Sequence, residues 1–184
     1  MDNEQLAKVR KLNKSRAKDM ERTVTKRLNG DRVPMSGAGF IKGDGIVYLP
    51  DNQGFMSVEC KLSAGIGKDG AQIVFVEKWI PKLQQDCESM RGIGCKFGFF
   101  ILKYMFHKEM WCIFLEEDLR KFEAYFNARV TERTGIHNLD TKKGIFKVKH
   151  LTLQLVSSHG TLTTGNRVLR IVPFSEIERI VRSV

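Results

Sequence analysis

The sequence predicts an α/β fold in which helices flank a mixed β-sheet. Three observations lead to this prediction: a short alternating hairpin between Gly43 and Lys61, helix-spaced apolar residues before and after it, and the order of the elements. That order is helix, three strands, helix, strand, strand, helix. Because a hairpin pairs strands antiparallel and a helical crossover returns a strand in parallel, this order predicts a sheet with both kinds of pairing.

The composition is that of a basic globular protein. The chain has 184 residues, 42% of them hydrophobic, which is enough for one domain with its own core. A net charge of +10 favours a polyanionic partner, most often nucleic acid, although ribosomal and membrane-surface proteins have a similar balance. No apolar run approaches the roughly 18 residues needed to span a bilayer, and the N-terminus is unlike a signal peptide. We therefore expect no membrane partner and an intracellular location: cytoplasm or nucleoid, or the host cytoplasm if the protein is of phage origin.

Four cysteines are scattered through the chain without a C-x-x-C pair: Cys60, Cys87, Cys95 and Cys112. Each lies among apolar residues, which favours reduced thiols in the core. The alternative is a zinc site made by Cys95, His107 and Cys112, but their spacing matches no common ligand pattern.

The N-terminal segment from Asn3 to Leu28 has no glycine or proline and predicts one or two helices. Its apolar stripe at helical spacing is Ala17, Met20, Val24 and Leu28. Glu21 lies within this stripe, so it either makes a salt bridge to a neighbouring helix or points into a functional site. The many Lys and Arg residues of the helix form either a solvated face or a phosphate-binding face.

The hairpin brings three charged groups together. Asn29-Gly30 ends the helix, a glycine-rich loop carries Ser36, and Asp44 precedes the first strand. In the second strand Glu59 and Lys61 project from one face, since successive side chains alternate. Two carboxylates beside a lysine predict an oxygen-ligand metal site, and the alternative is a surface ion pair between Glu59 and Lys61. The chain lacks a G-x-x-x-x-G-K-[ST] sequence, which argues against a nucleoside triphosphatase.

The remaining elements are predicted from periodicity and turn residues. They are a third strand at Gln72–Val76, a helix from Trp79 or Ile80 to Gly92, strands at Cys95–Met105 and Met110–Leu115, a helix at Glu117–Arg129, a polar linker at Val130–Asn138, β-structure at Ile145–Val156 and Val168–Val172, and a final helix opened by a capping box at Ser175–Glu178. We expect residues 1–130 to form the core with its basic helix. Residues 131–184 would form a β-rich extension that covers the core or extends a dimer interface.

Four features in this order resemble the active-site series of the PD-(D/E)XK nuclease superfamily, and most closely the archaeal-type Holliday junction resolvases and their phage relatives. The features are Glu21, the loop Arg32-Val33-Pro34-Met35-Ser36-Gly37, Gly43-Asp44, and Val58-Glu59-Cys60-Lys61. The resemblance covers roughly Ala17 to Leu115 and implies a restriction-endonuclease-like αβββαβ core. Gly43 stands where the superfamily name has proline, and the segment after Asn127 extends beyond the compact core. Bacterial crossover-junction endonucleases of the RecU type share the fold and are not separated by these motifs.

The resemblance implies a Mg²⁺-dependent endonuclease, with Mn²⁺ able to substitute, that resolves four-way DNA junctions in recombination and repair as a homodimer. The implied catalytic residues are Glu21, Ser36, Asp44, Glu59 and Lys61. The implied metal ligands are Asp44, Glu59 and the Cys60 carbonyl, with Glu21 acting through water. The expected DNA contacts are Lys11, Lys14, Arg16, Arg22, Arg32, Lys42 and Lys68.

Two alternative functions stay open from the sequence. One is a restriction-type or repair-type endonuclease of the same fold that acts on other DNA structures. The other is a non-catalytic nucleic-acid-binding protein in which the basic helix does the binding.

Overall fold

The structure is a computed structural model. It describes residues 3–33, 40–63, 66–67, 70–76, 79–104, 108–136, 143–148, 151–156 and 168–184. Side chains are described for part of these ranges: 12–33, 40–62, 79–103, 108–133 and 168–184.

The first half of the chain forms one long helix, a hairpin and three further strands. The helices and strands are α1 (Asn3–Arg27), β1 (Asp31–Arg32), β2 (Gly45–Tyr48), β3 (Phe55–Ser63), β4 (Ile66–Gly67) and β5 (Gly70–Val76). A 3₁₀ turn at Pro50–Asn52 joins β2 to β3, as the turn residues predict. The predicted N-terminal helix and hairpin are therefore present in the structure.

The second half begins with the predicted crossover helix. Its elements are α2 (Trp79–Ser89), β6 (Cys95–Tyr104), β7 (Met110–Leu115), α3 (Glu116–Tyr125), β8 (Thr134–Ile136), β9 (Lys143–Val148), β10 (Leu151–Val156), β11 (Leu169–Pro173) and α4 (Phe174–Val181). A 3₁₀ turn at Arg91–Ile93 leads from α2 into β6. α3 is shorter than predicted and ends at Tyr125 rather than near Arg129.

A seven-stranded mixed sheet organises these elements, in the order β1-β2-β3-β6-β7-β11-β8. β3 and β6 are parallel, with α2 between them in the chain, and the other neighbours are antiparallel. The predicted α/β class, with helices flanking a mixed sheet, is confirmed. The predicted third strand differs in its position: β5 pairs with β4 and β10 in a second, four-stranded sheet of order β4-β5-β10-β9.

The main core lies on the sheet face that carries Met56, Val58 and Cys60. Apolar residues of α1, α3 and α4 fill it, including Met20, Val24, Leu28, Leu119, Phe122, Phe174, Ile177 and Ile180. Phe99 of β6 stacks on Phe114 of β7 with ring centroids 4.5 Å apart, and Phe122 of α3 tilts against Phe114 at 5.8 Å. These stacked rings join two central strands to a helix, and aromatic residues bury the largest apolar areas in a core.

The opposite face of the sheet is covered in part by α2. Gly98 of β6 lets the helix approach closely, because a Cβ there would lie 2.7 Å from Cys87 Sγ and 2.9 Å from Leu83 Cδ1. A cleft of about 160 Å³ opens on this face between α2 and the first turn of α3. Its lining includes Leu83, Cys87, Cys95, Phe100, Asp118 and Lys121.

The segment after residue 130 is built into the main sheet. β11 lies between β7 and β8, so the polar linker predicted over Val130–Asn138 is wrong where it contains β8. The predicted capping box is also wrong: α4 begins at Phe174 after an uncapped Pro173, and Glu178 binds Arg27 of α1 through Nε and Nη2. The Glu178 carboxylate is paired with Arg27, whereas in a capping box it would accept from a backbone N–H at the start of the helix. The predicted β-structure at Ile145–Val156 is present as two antiparallel strands, β9 and β10.

No helix within the described ranges is long and apolar enough to cross a membrane. All four cysteines lie within these ranges and carry free thiols. Cys95 and Cys112 are buried, whereas Cys60 and Cys87 are partly exposed. His107, the third ligand of the alternative zinc site, lies outside the described residues.

Candidate functional site

The candidate site lies where β3 continues beyond its partner β2. The ladder ends with Gly45 opposite Val58, but β3 runs on to Ser63. Asp44 occupies this open edge. Its N–H donates to the Val58 carbonyl at 2.9 Å, and its Oδ2 accepts a hydrogen bond from the Cys60 N–H at 2.7 Å. Among the described residues, the Asp44 carboxylate thus takes the place of a strand partner for the Cys60 N–H.

The Cys60 carbonyl faces the same edge. The N–H and C=O of one strand residue point to the same side of the strand, and the Cys60 N–H points to Asp44. On its other side β3 pairs with β6. The predicted backbone ligand is therefore directed towards the Asp44 carboxylate rather than into the ladder.

Gly43 sets the backbone that brings Asp44 to this edge. Its φ is +93°, and a Cβ at this position would lie 2.5 Å from Ser57 Oγ. Proline fixes φ near −65°, so it cannot adopt this conformation. The departure from the Pro-Asp of the superfamily name thus has a local cause.

Glu59 and Lys61 lie on one face of β3, as strand alternation predicts. Lys61 Nζ is 2.5 Å from Glu59 Oε1, and the two side chains are 25% and 17% exposed. The Lys61 ammonium also lies over the ring of Trp79, 5.0 Å from its centroid. This is a partly buried pair covered by an aromatic residue, unlike the solvated surface pair of the alternative interpretation.

Glu21 reaches the site because α1 packs tightly on β2. A Cβ on Gly45 would lie 2.3 Å from Thr25 Cγ2, so the glycine admits the helix at the residue after Asp44. Glu21 is one turn before Thr25, whose hydroxyl donates to the Glu21 carbonyl at 2.9 Å. The Glu21 carboxylate accepts a hydrogen bond from Arg32 Nε at 3.0 Å, and Arg32 Nη2 completes the salt bridge at 2.9 Å. Its salt bridge is therefore made to β1, not to a neighbouring helix.

The charges of this site act on Asp44. Burial, followed by the negative charge of Glu59, raises the pKa of Asp44 to about 6 from its ordinary 3.8. Glu21 raises the pKa further, whereas the Cys60 hydrogen bond and Lys61 lower it. Glu59 and Glu21 are thus close enough to Asp44 for their charges to oppose its ionisation. Burial, followed by Asp44, also raises the pKa of the Cys60 thiol well above its ordinary value.

The donor atoms at this edge suit a hydrated, hard cation. Mg²⁺ prefers oxygen ligands, is held by one or two carboxylates and keeps several waters. Asp44, Glu59 and the Cys60 carbonyl are such ligands, and a cation would relieve the repulsion that raises the pKa of Asp44. Within the described part of the chain, no three His, Cys, Asp or Glu side chains form a metal-binding group by themselves. These residues thus fit a partly hydrated ion rather than an all-protein cage.

The structure says less about the other residues that were predicted to act in the site. Ser36 and Lys68 lie outside the described residues, as does the side chain of Lys11. Lys14, Arg16 and Arg22 are exposed on α1, and Lys42 is half-buried near the site. Arg32, predicted to hold a phosphate, is paired with Glu21.

Two residues of α2 also lie at the site, although no sequence motif points to them. Trp79 covers Lys61, and Lys82 is close enough to Glu59 and Asp44 for their charges to contribute to its raised pKa. The largest cause of that shift is the hydrogen bond of Lys82 to Asp86, with Nζ and Oδ2 3.0 Å apart. Helical spacing places Trp79 and Lys82 on one face of α2, but nothing in the spacing says which strand that face meets.

No protein-family model, curated protein or solved structure matches this chain. The functional interpretation therefore depends on the residues themselves and on their arrangement.

Proposed function

We propose that this protein is a metal-dependent endodeoxyribonuclease that cleaves four-way DNA junctions. The observation that carries the proposal is the meeting of Asp44, Glu59 and Lys61 at the open edge of β3, with Glu21 beside them. Carboxylates and a lysine in this arrangement supply what phosphodiester hydrolysis requires: ligands for a cation and a donor for developing negative charge. This constellation also agrees with the family resemblance of the motifs.

Each residue has a specific role in this proposal. Asp44, Glu59 and the Cys60 carbonyl would hold Mg²⁺, which when bound acidifies water and neutralises charge on the phosphate. Lys61 would orient the attacking water or donate to a phosphate oxygen, with Trp79 limiting its freedom of movement. Glu21 would assist through water, and Ser36 would lie near the scissile phosphate. Arg32, now on Glu21, carries the planar fork that binds a phosphate bidentately.

The exposed face of α1 supports DNA as the substrate. Lys14 and Lys18 are exposed and lie seven and three residues before Glu21, so they follow one side of the helix towards the site. Seven residues of helix span roughly 10 Å. Together with the net charge of +10, this predicts binding that weakens steeply as salt rises.

The proposal includes a homodimer. Resolving a junction takes two symmetric nicks, and a two-fold dimer supplies two sites related by that symmetry. Sizing of the protein with and without a synthetic junction tests this part separately.

The deciding experiment compares the wild type with Asp44→Asn on a labelled synthetic four-way junction in Mg²⁺, Mn²⁺ or chelator. Asp51→Asn is the matched control. It makes the same change in the turn of the same hairpin, on an exposed residue whose φ of +55° asparagine tolerates. We expect paired nicks from the wild type and from Asp51→Asn, and a loss of at least a hundredfold in Asp44→Asn.

Each other outcome has a defined meaning. Equal cleavage by Asp44→Asn would show that the site is wrong. Equal cleavage of linear duplex, flap and junction would replace the junction resolvase with a restriction-type or repair-type nuclease. Salt-dependent binding without cleavage in either metal, unchanged in Glu59→Ala, would identify a non-catalytic DNA-binding protein.

A further inference from the structure

Two of the four cysteines meet on the sheet face opposite the main core. Cys87 lies near the end of α2 and Cys95 begins β6, and the two side chains are close enough to interact with each other. Cys95 belongs to a small apolar cluster with Met90 and Phe55, and Cys87 packs against this cluster. Scattered spacing in the sequence gave no indication of this pair.

The backbone between the two cysteines holds them in place. The Met90 N–H donates to the Cys87 carbonyl at 3.2 Å, and the Met90 carbonyl accepts from the Cys95 N–H at 3.2 Å. Gly94, with φ +104°, makes the turn into β6. Gly98 leaves the space that the Cys87 sulfur occupies, since a Cβ there would lie 2.7 Å away. The backbone hydrogen bonds and the two glycines therefore hold both cysteines in this arrangement.

One of the two thiols is exposed to solvent in part, and the buried one lines the same cleft. Cys87 is partly exposed, and both cysteines line the cleft of about 160 Å³ between α2 and α3. A water molecule occupies about 30 Å³ of liquid, so a molecule the size of hydrogen peroxide fits in the cleft. No third metal-ligating side chain among the described residues joins the two thiols in a metal-binding group.

The two thiols differ in acidity. The hydrogen bond from Cys87 is the largest cause that lowers the pKa of Cys95, and the same bond raises the pKa of Cys87. A thiolate is the reactive form of cysteine, so Cys95 is the expected nucleophile and Cys87 the resolving thiol.

We propose that Cys87 and Cys95 form a redox-active dithiol that small hydroperoxides oxidise reversibly to a disulfide. The Cys95 thiolate attacks one peroxide oxygen, the O–O bond breaks, and the released hydroxide takes up a proton to give water. The Cys87 sulfur then attacks the resulting Cys95 sulfenic acid, and the second water leaves with the Cys87 proton. Two thiols and one hydrogen peroxide thus give one disulfide and two waters. The inference is independent of the proposed nuclease function.

The test uses the full chain. The native protein is treated with hydrogen peroxide, its remaining thiols are blocked with N-ethylmaleimide, and it is digested with trypsin. Cleavage after Lys82, Arg91 and Lys96 places Cys87 in peptide 83–91 and Cys95 in peptide 92–96. We expect mass spectrometry to find these two peptides joined, with two hydrogen atoms lost, and to find them separate after dithiothreitol. Cys60 and Cys112 should stay reduced during peroxide treatment. Both should therefore carry N-ethylmaleimide after the protein is unfolded for the blocking step.

Matched variants fix the assignment. Cys112→Ser, which removes a buried thiol elsewhere in the core, should leave the linked peptides unchanged. Cys87→Ser should abolish them and leave a Cys95 sulfenic acid that dimedone traps. Three results in the wild type would overturn the proposal. They are alkylation of both Cys87 and Cys95 after peroxide treatment, overoxidation of Cys95 while the Cys87 thiol stays free, and a disulfide between the two that forms no more selectively in the native protein than in protein unfolded by urea. Because the main readout is on the wild type, poor folding of a variant cannot decide it.

Discussion

Gly43 shows how one backbone conformation determines the position of the candidate site. The residue combines a φ of +93° with close contact to Ser57, directly before Asp44. Any side chain at this position meets both a conformational penalty and a clash. Glycine at this position is thus what allows the backbone to place Asp44 at the edge of β3.

We therefore expect Gly43→Ala to lower the free energy of unfolding by about 1 to 3 kcal/mol, measured by urea denaturation. Gly92→Ala is the control, since a Cβ there has no atom within 4 Å. Its stability should change by no more than about 0.5 kcal/mol, as for other surface substitutions. Equal effects at the two glycines would show that Gly43 is not held in this conformation.

The raised pKa of Asp44 makes the site costly to the fold. A carboxyl whose pKa rises from 3.8 to about 6 on folding favours the folded state at low pH, and this contribution is lost as pH rises through 6. Asparagine carries no charge and its oxygen can still accept from the Cys60 N–H. In chelator at pH 8, Asp44→Asn should therefore be more stable than the wild type by up to about 3 kcal/mol.

Urea denaturation at two pH values checks this sign. The advantage of Asp44→Asn should shrink to a small fraction at pH 4, where the folded wild type is protonated at Asp44. Loss of stability in the variant at pH 8 would mean that the ionised carboxylate stabilises the fold, contrary to its surroundings.

At the scale of elements, α4 closes the molecule by reaching back to earlier parts of the chain. Its Glu176 is buried and accepts hydrogen bonds from the Thr131 N–H at 2.7 Å, the Thr131 hydroxyl at 2.8 Å and the Glu132 N–H at 3.0 Å. Burial acts to raise the pKa of Glu176, but these hydrogen bonds outweigh it and lower the pKa. Glu178 of the same helix binds Arg27, which also lies 4.6 Å above the Phe174 ring.

Replacing Glu176 with alanine should leave the 131–132 backbone without its acceptor and lower the free energy of unfolding by about 1.5 to 3 kcal/mol at pH 7. Because the folded pKa is depressed, this contribution is present above the ordinary value and is lost as pH falls through the folded value. Denaturation at pH 7 and pH 3 measures both effects.

Ser175→Ala is the control on the same helix. Ser175 is exposed and makes no cap hydrogen bond, so the change should cost less than about 0.5 kcal/mol. A larger cost for Ser175 than for Glu176 would restore the capping box and refute the role given to Glu176.

For the whole molecule, the main sheet runs through both parts of the chain. β11 pairs with β7 from Leu169 opposite Leu115 to Pro173 opposite Trp111, and α4 places Ile177 and Ile180 in the core. The C-terminal segment therefore contributes both a strand and a core-filling helix.

Truncation before Thr141 should consequently give a chain that does not fold. It would expose the edge of β7 and remove buried apolar residues, each of which stabilises the fold by about 1.5 to 3 kcal/mol. Circular dichroism melting and sizing would show the loss, with deletion of the exposed Val184 alone as the control. A monodisperse truncated protein with a cooperative melt would contradict this expectation.

The sequence by itself determined the helices and strands whose apolar residues repeat at the spacing of one buried face. These include α1, the β2–β3 hairpin, α2, β6 and β7, and the common face of Glu59 and Lys61. The reason is local: the helical and strand repeats decide which side chains share a face, whatever lies opposite.

The tertiary structure alone decided which faces meet. It placed β5 in a second sheet, Trp79 over Lys61, Arg32 on Glu21, and Cys87 against Cys95. It also made β8 and β11 part of the main sheet and turned Glu178 from a predicted cap to Arg27. Periodicity identifies a face to be buried but carries no label for its partner, so these contacts follow only from how the helices pack and the strands pair.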